Sequence, residues 1–393
     1  MITSLSAKCT HFCGKATQQI IDTWAYLEEN NSVCDFKKRG NMGKRIYICH
    51  TYYHVYIACL KECSGQYPDK ADVLLSTMSN DFGDLKERIN STELFGTAYQ
   101  YEEQPEVAFP QLAKYHVDRG NLFINMLTRI RYTKLFGKLE APFIPVSLKE
   151  YQDIYVFCDS DPIGYYLNYA HIPYHAVEDG LDCIRYYDTA RYDNRGHFNL
   201  KARLSAMNLI FIQNGWGKYC LDMEVNDISV LEYPCPKYIE QNREELVEQL
   251  SMQDKDSILH LFMENIDAIQ IQIGAKQEQK KIFILTEPLC DLTTREQIFK
   301  DIIAEYGNDA LCILKPHPRD VLDYKKLFSD CVVIEGKFPM EILNFIPGLT
   351  VDKVISVFTV PSSIHFAKET VFLGEDFMDR YEAPEIHRQN EQI

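Results

Sequence analysis

Short apolar runs, each closed off by polar residues, recur along the chain and set its expected architecture. Ile46-Tyr47-Ile48-Cys49 is the first, and Thr51 to Cys63 behind it carries apolar positions at helical spacing. Ala71–Ser76 (ADVLLS) and Asp153–Cys158 (DIYVFC) read as further buried strands. A helix is expected over Gly164–Ala170, then a strand over Tyr174–Val177 that ends on Glu178-Asp179-Gly180. Strand alternating with helix predicts a parallel sheet wrapped by helices. From about 239 to 281 the pattern turns polar and helical, over Gln241–Met252 and Ser257–Ile273, and it ends in the charged run Lys276–Lys281. A second series opens with Ile282–Leu285 (IFIL). A helix from about Thr293 to Tyr306 follows, with Thr293 or Thr294 as its cap and Glu296 near the capping-box position. Leu311–Leu314, Cys331–Ile334 and Lys353–Phe358 complete the second sheet, and a last helix is expected from Ile364 to about Lys368.

This pattern predicts an α/β protein with two Rossmann-like domains facing a cleft, the ligand lying at the carboxyl ends of the strands. The expected division is an appendage over 1–41, a first domain over 42–240, a helical linker over 241–281 and a second domain over 282–393. The length of 393 residues agrees, since it exceeds what one ordinary core holds. A net charge of −16 argues against nucleic acid as a partner but leaves room for a local basic pocket that binds a small anion. The 13 cysteines are scattered through apolar runs, as free thiols in a reducing compartment are. Cys9, His11 and Cys13 fit no common zinc spacing, so no metal is expected. No apolar run reaches the ~18 residues that cross a bilayer. The expected location is the cytoplasm, with peripheral contact at the inner face of the plasma membrane through Arg129, Arg131, Lys134 and Lys138.

Lys315-Pro316-His317-Pro318-Arg319 ends a buried strand. Two prolines fix the backbone around one imidazole, and the flanking cations suit a phosphate, which the histidine can also supply with a proton. The alternative is a rigid surface turn. Glu178-Asp179-Gly180 pairs two acids at another strand end, the arrangement of a general base, or of a solvated turn. Thr286-Glu287-Pro288-Leu289-Cys290-Asp291 opens on the same sheet edge as His317, and Asp291 suits either the cleft or a helix cap. Ser356 to Ser363 is rich in hydroxyls and precedes the last expected helix, an anion site or ordinary capping by Ser362 or Ser363. Asp159-Ser160-Asp161 has the form of a metal motif, but Pro162 favours a cap there. Arg185, Arg191, Arg195 and Arg203 lie among tyrosines, as an acceptor loop or a solvated face.

In this order the elements resemble glycosyltransferase family 52, the bacterial lipooligosaccharide sialyltransferases, from Ile46 to about Phe372. Ile46 to Val55 is similar to the family's first strand and helix, Pro316-His317-Pro318-Arg319 to its His-Pro motif, Glu178-Asp179-Gly180 to an acidic motif and Phe358-Thr359 to Ser363 to its Ser/Thr motif. The resemblance implies the GT-B architecture, with an acceptor-side first domain and a CMP-binding second domain. It further implies an inverting, metal- and cofactor-free transfer of sialic acid from CMP-sialic acid to a galactoside of a bacterial surface glycan, lipooligosaccharide or capsule. His317 would assist departure of CMP. The base would be Asp291 by the family pattern, with Glu287 open because the loop is longer here, or Asp179 beside Glu178 by the more distant sialyltransferases. Lys315, Pro318, Arg319, Thr359, Ser362, Ser363, Gly180 and Glu287 would contact substrate. A homodimer is compatible with it. The alternatives are another CMP-ulosonic acid or nucleotide sugar as donor, and a non-catalytic glycan-binding assembly protein.

Overall fold

The computed structural model describes residues 43–65, 67–157, 159–191, 194–274, 279–359 and 363–386. The predicted appendage and Ser362 lie outside them. Two wholly parallel sheets organise the rest. The first has seven strands, β1 (Arg45–Cys49), β2 (Asp72–Ser76), β3 (Ala98–Tyr101), β4 (Asp153–Phe157), β5 (Tyr174–Val177), β6 (Cys220–Val225) and β7 (Tyr238–Glu240), in the order β3-β2-β1-β4-β5-β6-β7. The second has β8 (Lys280–Leu285), β9 (Ala310–Lys315), β10 (Val332–Val333), β11 (Val351–Ser356) and β12 (Ala367–Phe372), in the order β10-β9-β8-β11-β12.

Each sheet reverses direction once, between β1 and β4 in the first and between β8 and β11 in the second. A crevice opens outside the carboxyl ends of the strands at such a switch point. Both sheets are covered on both faces, and the two-residue period of a strand divides their side chains cleanly. Tyr47 and Cys49 face one core, Ile46 and Ile48 the other. Phe283 and Leu285 join the same core as Tyr47, while Ile282 and Ile284 face a third.

Three helices that bridge the sheets carry this shared core: α4 (Arg243–Glu248), α5 (Met252–Phe262) and α6 (Ile266–Gly274). Ile258, Leu259, Leu261 and Phe262 of α5 are buried in it beside Val55, Ile313 and Ile342. Ahead of them come α1 (Tyr52–Ser64), α2 (Leu122–Glu140) and α3 (Pro162–Ala170), and after them α7 (Leu292–Tyr306). Helix α1 carries part of the site and is tied to the sheet at its far end. Lys61 makes a buried ion pair with Glu224 of β6 at 2.5 Å, and Glu62 pairs with Arg45 of β1 at 2.9 Å. Among the described residues no helix is long and apolar enough to cross a membrane.

The expected helix from Ile364 to Lys368 does not exist. That stretch enters β12, an edge strand paired in parallel with β11. Thr370, Val371 and Phe372 are strand formers, and the charged Lys368 and Glu369 protect an exposed edge. The cap of α7 is Asp291 rather than a threonine: Oδ1 accepts Thr293 N–H at 2.9 Å and Thr294 N–H at 3.1 Å. Glu296 bonds Lys300 instead of closing a capping box. β3, β6, β7 and α2 had no counterpart in the apolar pattern.

Candidate active site

Loops from both switch points line one cavity of about 610 Å³. From the first sheet come His50 to Tyr53 after β1, Ser79 and Asn80 after β2, Ser160 and Asp161 after β4, and Asp179 after β5. From the second come Thr286 after β8, Lys315 to Arg319 after β9, Phe338 to Glu341, and Thr359 after β11.

Of the base candidates Asp179, Glu287 and Asp291, Asp179 reaches this cavity, and a histidine absent from the sequence expectations stands behind it. The Nδ1 of His54 accepts the backbone N–H of His50 at 3.0 Å. The ring proton therefore sits on Nε2, which donates to Asp179 Oδ1. Burial lowers the pKa of His54, outweighing the pull of the carboxylate, so the imidazole stays neutral. It stacks on Phe157 with centroids 4.5 Å apart, which fixes its plane. Asp179 thus has one oxygen held by an uncharged donor while its side chain remains 37% exposed. That combination orients a base without neutralising it.

Glu178 points the other way. It is buried, Oε2 has no hydrogen-bond partner among the described residues, and burial lifts its pKa to about 6 against the pull of Arg243. Arg243 at the start of α4 is itself buried, and its three guanidinium nitrogens have no hydrogen-bond partner among the described residues. Gly180 follows the acids and does not line the cavity.

Beside the dyad lies a second histidine cluster. His50 Nε2 is 2.8 Å from Glu103 Oε2 and 3.4 Å from Asp161 Oδ2. Burial opposes a charge on His50, but Glu103, with Asp161 and Asp179 behind it, raises the pKa to about 9. Glu103 is held by Ser76 Oγ at 2.6 Å and Ile163 N–H at 2.6 Å. The ligating atoms of His50, Glu103 and Asp161 lie within 4.8 Å of one another, a spacing a metal could occupy. As it stands, the imidazolium supplies the positive charge there. Asp161 occupies the cap position of α3, but its side chain makes no capping bond.

On the opposite wall, His317 Nδ1 accepts the backbone N–H of Arg319 at 3.1 Å, so Nε2 carries the proton. Desolvation, with Arg319 and Lys315 adding to it, lowers its pKa to about 4. At this low pKa His317 is a neutral donor rather than an acid; a bound phosphate would raise its pKa. Lys315 is 3% exposed, and its Nζ donates to Pro316 O at 2.7 Å and Gly336 O at 3.1 Å and lies 4.2 Å from the Phe338 ring centroid. Desolvation alone lowers its pKa to about 7. The loop is braced by Arg295, which bonds Asp320 at 2.6 Å, Leu289 O at 2.6 Å and Cys290 O at 2.9 Å.

The other sequence candidates do different work. Asp291 is spent on capping α7 and does not line the cavity. Both oxygens of Glu287 accept the N–H of Phe358, at 3.0 and 3.1 Å, and Oε1 also accepts that of Thr359 at 2.6 Å. Glu287 is buried as the anchor of the 356–359 turn. Ser363 donates its hydroxyl to Glu341, and the chain beyond it runs into β12 rather than the expected helix. Thr359, Pro318 and Arg319 do reach the cavity. Neither Asp291→Ala nor Glu287→Gln should abolish activity: the first is expected to lower the melting temperature through the lost cap, with turnover within about twofold. The glutamine retains an acceptor for the turn.

A protein of Haemophilus influenzae with no assigned function is 31% identical over 124 residues, which span 30% of this chain and 38% of that relative's length. Among solved structures, a 2,6-sialyltransferase of Photobacterium sp. JT-ISH-224, in complex with CMP and lactose, superposes with a TM-score of 0.50 at 10% identity, covering 89% of this chain and 76% of that one. An α/β-galactoside α-2,3-sialyltransferase from Photobacterium phosphoreum gives a TM-score of 0.45 at 14% identity over 84% and 92% of the two chains. The shared fold is GT-B. The profile of glycosyltransferase family 52 matches residues 115–371, most of both sheets and the loops carrying Asp179, His317 and Thr359, and the chain belongs to glycosyltransferase family 52.

Proposed function

We propose that the protein is an inverting sialyltransferase that moves sialic acid from CMP-sialic acid to a galactoside of a bacterial surface glycan. The observation that carries this reading is one cavity with a held, exposed carboxylate on one wall and a buried ammonium beside an N–H-donating imidazole on the other. Asp179 takes the proton of the acceptor hydroxyl as that oxygen attacks the anomeric carbon. The bond to the phosphate oxygen breaks on the far face, and the electron pair leaves with CMP. Lys315 and the Nε2–H of His317 meet the charge that develops on the phosphate, so this reading needs no metal. A single phosphate as leaving group fits one lysine and one histidine. Family membership supports the choice of donor, and a solved protein of this fold holds CMP and lactose. The site of action would be the cytoplasm, where a nucleotide-activated sugar is available.

A donor panel tests the proposal. CMP-sialic acid, other CMP-ulosonic acids and UDP- and GDP-sugars are incubated with lactose, and nucleotide release and the sialylated product are measured. Release of CMP together with a product of inverted anomeric configuration is expected. Turnover of a UDP- or GDP-sugar alone would transfer the reading to another donor, and no turnover of any donor would favour a non-catalytic glycan-binding role.

A further inference from the structure

A second cavity of about 560 Å³ adjoins the first, and Ser160 and Asp161 line both. It lies beneath α2 and has no part in the chemistry described above. Its wall is aromatic. Tyr132 meets Tyr165 edge-on, with centroids 5.9 Å apart and planes at 89°, and Phe136 packs on Tyr165 at 4.8 Å. His116 stands edge-on to Tyr132 at 5.2 Å. Polar groups lie among the rings: Glu106 accepts the Tyr132 hydroxyl at 2.9 Å and bonds His116, and Arg129 Nη2 donates to Asn194 at 2.5 Å.

The charge on this wall narrows the occupant. Glu106 and Asp161 oppose Arg129, so there is no cationic surplus to attract a phosphate or a lipid headgroup. Aromatic faces carry negative potential and suit the weakly positive C–H faces of a sugar ring, while a carboxylate and a guanidinium suit its hydroxyls. The position narrows it further, because a chain leaving Asp179 across Ser160 and Asp161 enters this cavity directly.

We propose that the second cavity is an outer acceptor subsite, which holds the inner sugars of a neutral oligosaccharide whose terminal galactose lies at Asp179. The inference rests on the transferase reading and adds that the preferred acceptor is an oligosaccharide rather than a free mono- or disaccharide. Binding energy gathered at this distance aligns the reacting hydroxyl.

The test uses the full chain, CMP-sialic acid and galactose-terminated acceptors of one, two and four sugars, with wild type, Glu106→Ala and Tyr132→Phe, the last removing only a hydroxyl. For wild type, kcat/KM should rise about tenfold or more from the disaccharide to the tetrasaccharide, a gain of at least ~1.4 kcal/mol. Both variants should erase that rise and leave disaccharide turnover and the donor KM unchanged. Saturation-transfer NMR of the tetrasaccharide without donor should show contact with its inner sugars in wild type and none in Glu106→Ala. If no acceptor turns over, the NMR result still decides the subsite while the transferase reading falls. A tetrasaccharide no better than the disaccharide, or variants that slow both equally, would overturn the proposal.

Discussion

Asp179→Asn is expected to lower sialyl transfer to a galactoside by about 10²- to 10⁴-fold, the range a positioned general base supplies. The substitution is isosteric, and the Asn Oδ1 still accepts the Nε2–H of His54, so folding and CMP affinity should not change. What disappears is the lone pair that removes the acceptor proton. His54 cannot replace it, because its Nδ1 is occupied by the His50 N–H and its Nε2 already carries a hydrogen. Rapid-quench measurement of CMP release checks the loss, and a variant within tenfold of wild type would remove Asp179 from the base role.

Lys315→Met should weaken binding of an unreactive phosphodiester analogue of the donor by about 10- to 100-fold at pH 6, the size of one lost charge-assisted hydrogen bond. It should also abolish a pH dependence. In the free protein the Lys315 pKa is depressed to about 7 by desolvation, and a bound phosphate raises it. Below pH 7 the ammonium is already charged and affinity is flat. Above pH 7 binding must take up a proton, so affinity falls as pH rises, by about tenfold between pH 6 and pH 8. A phosphodiester does not titrate there, and the variant supplies the baseline. Calorimetry at three pH values gives both results, and a wild-type profile as flat as that of the variant would contradict the assignment.

The two-sheet architecture was legible because parallel strands buried on both faces read as continuous apolar runs. Ile46–Cys49, Tyr174–Val177 and Leu311–Leu314 all fall within observed strands. Short or half-exposed elements were not legible: β7 is three residues long with no buried position, and α2 mixes apolar and basic residues without a clear stripe. The 361–363 sequence has the letters of a helix start, but pairing with β11 decided the conformation beyond it, and pairing cannot be read from local spacing.

The site follows the same division. The His-Pro loop could be located because its chemistry is contiguous. His54 was missed, since its partner Asp179 lies 125 residues away in the chain. A signal was present all the same: His50 and His54 follow the first strand at helical spacing, at a point where the sheet order reverses. Choosing between Asp179, Glu287 and Asp291 required knowing which of them reaches the cavity, as Asp179 does and the other two do not.

The most direct measurement is a crystal structure of the protein with CMP and lactose bound. The account predicts the CMP phosphate within hydrogen-bond reach of Lys315 Nζ and His317 Nε2, and a galactose hydroxyl within about 3.2 Å of the Asp179 carboxylate. A nucleotide bound outside the cleft, or an acceptor hydroxyl held by Asp291 or Glu287 with Asp179 facing solvent, would contradict it.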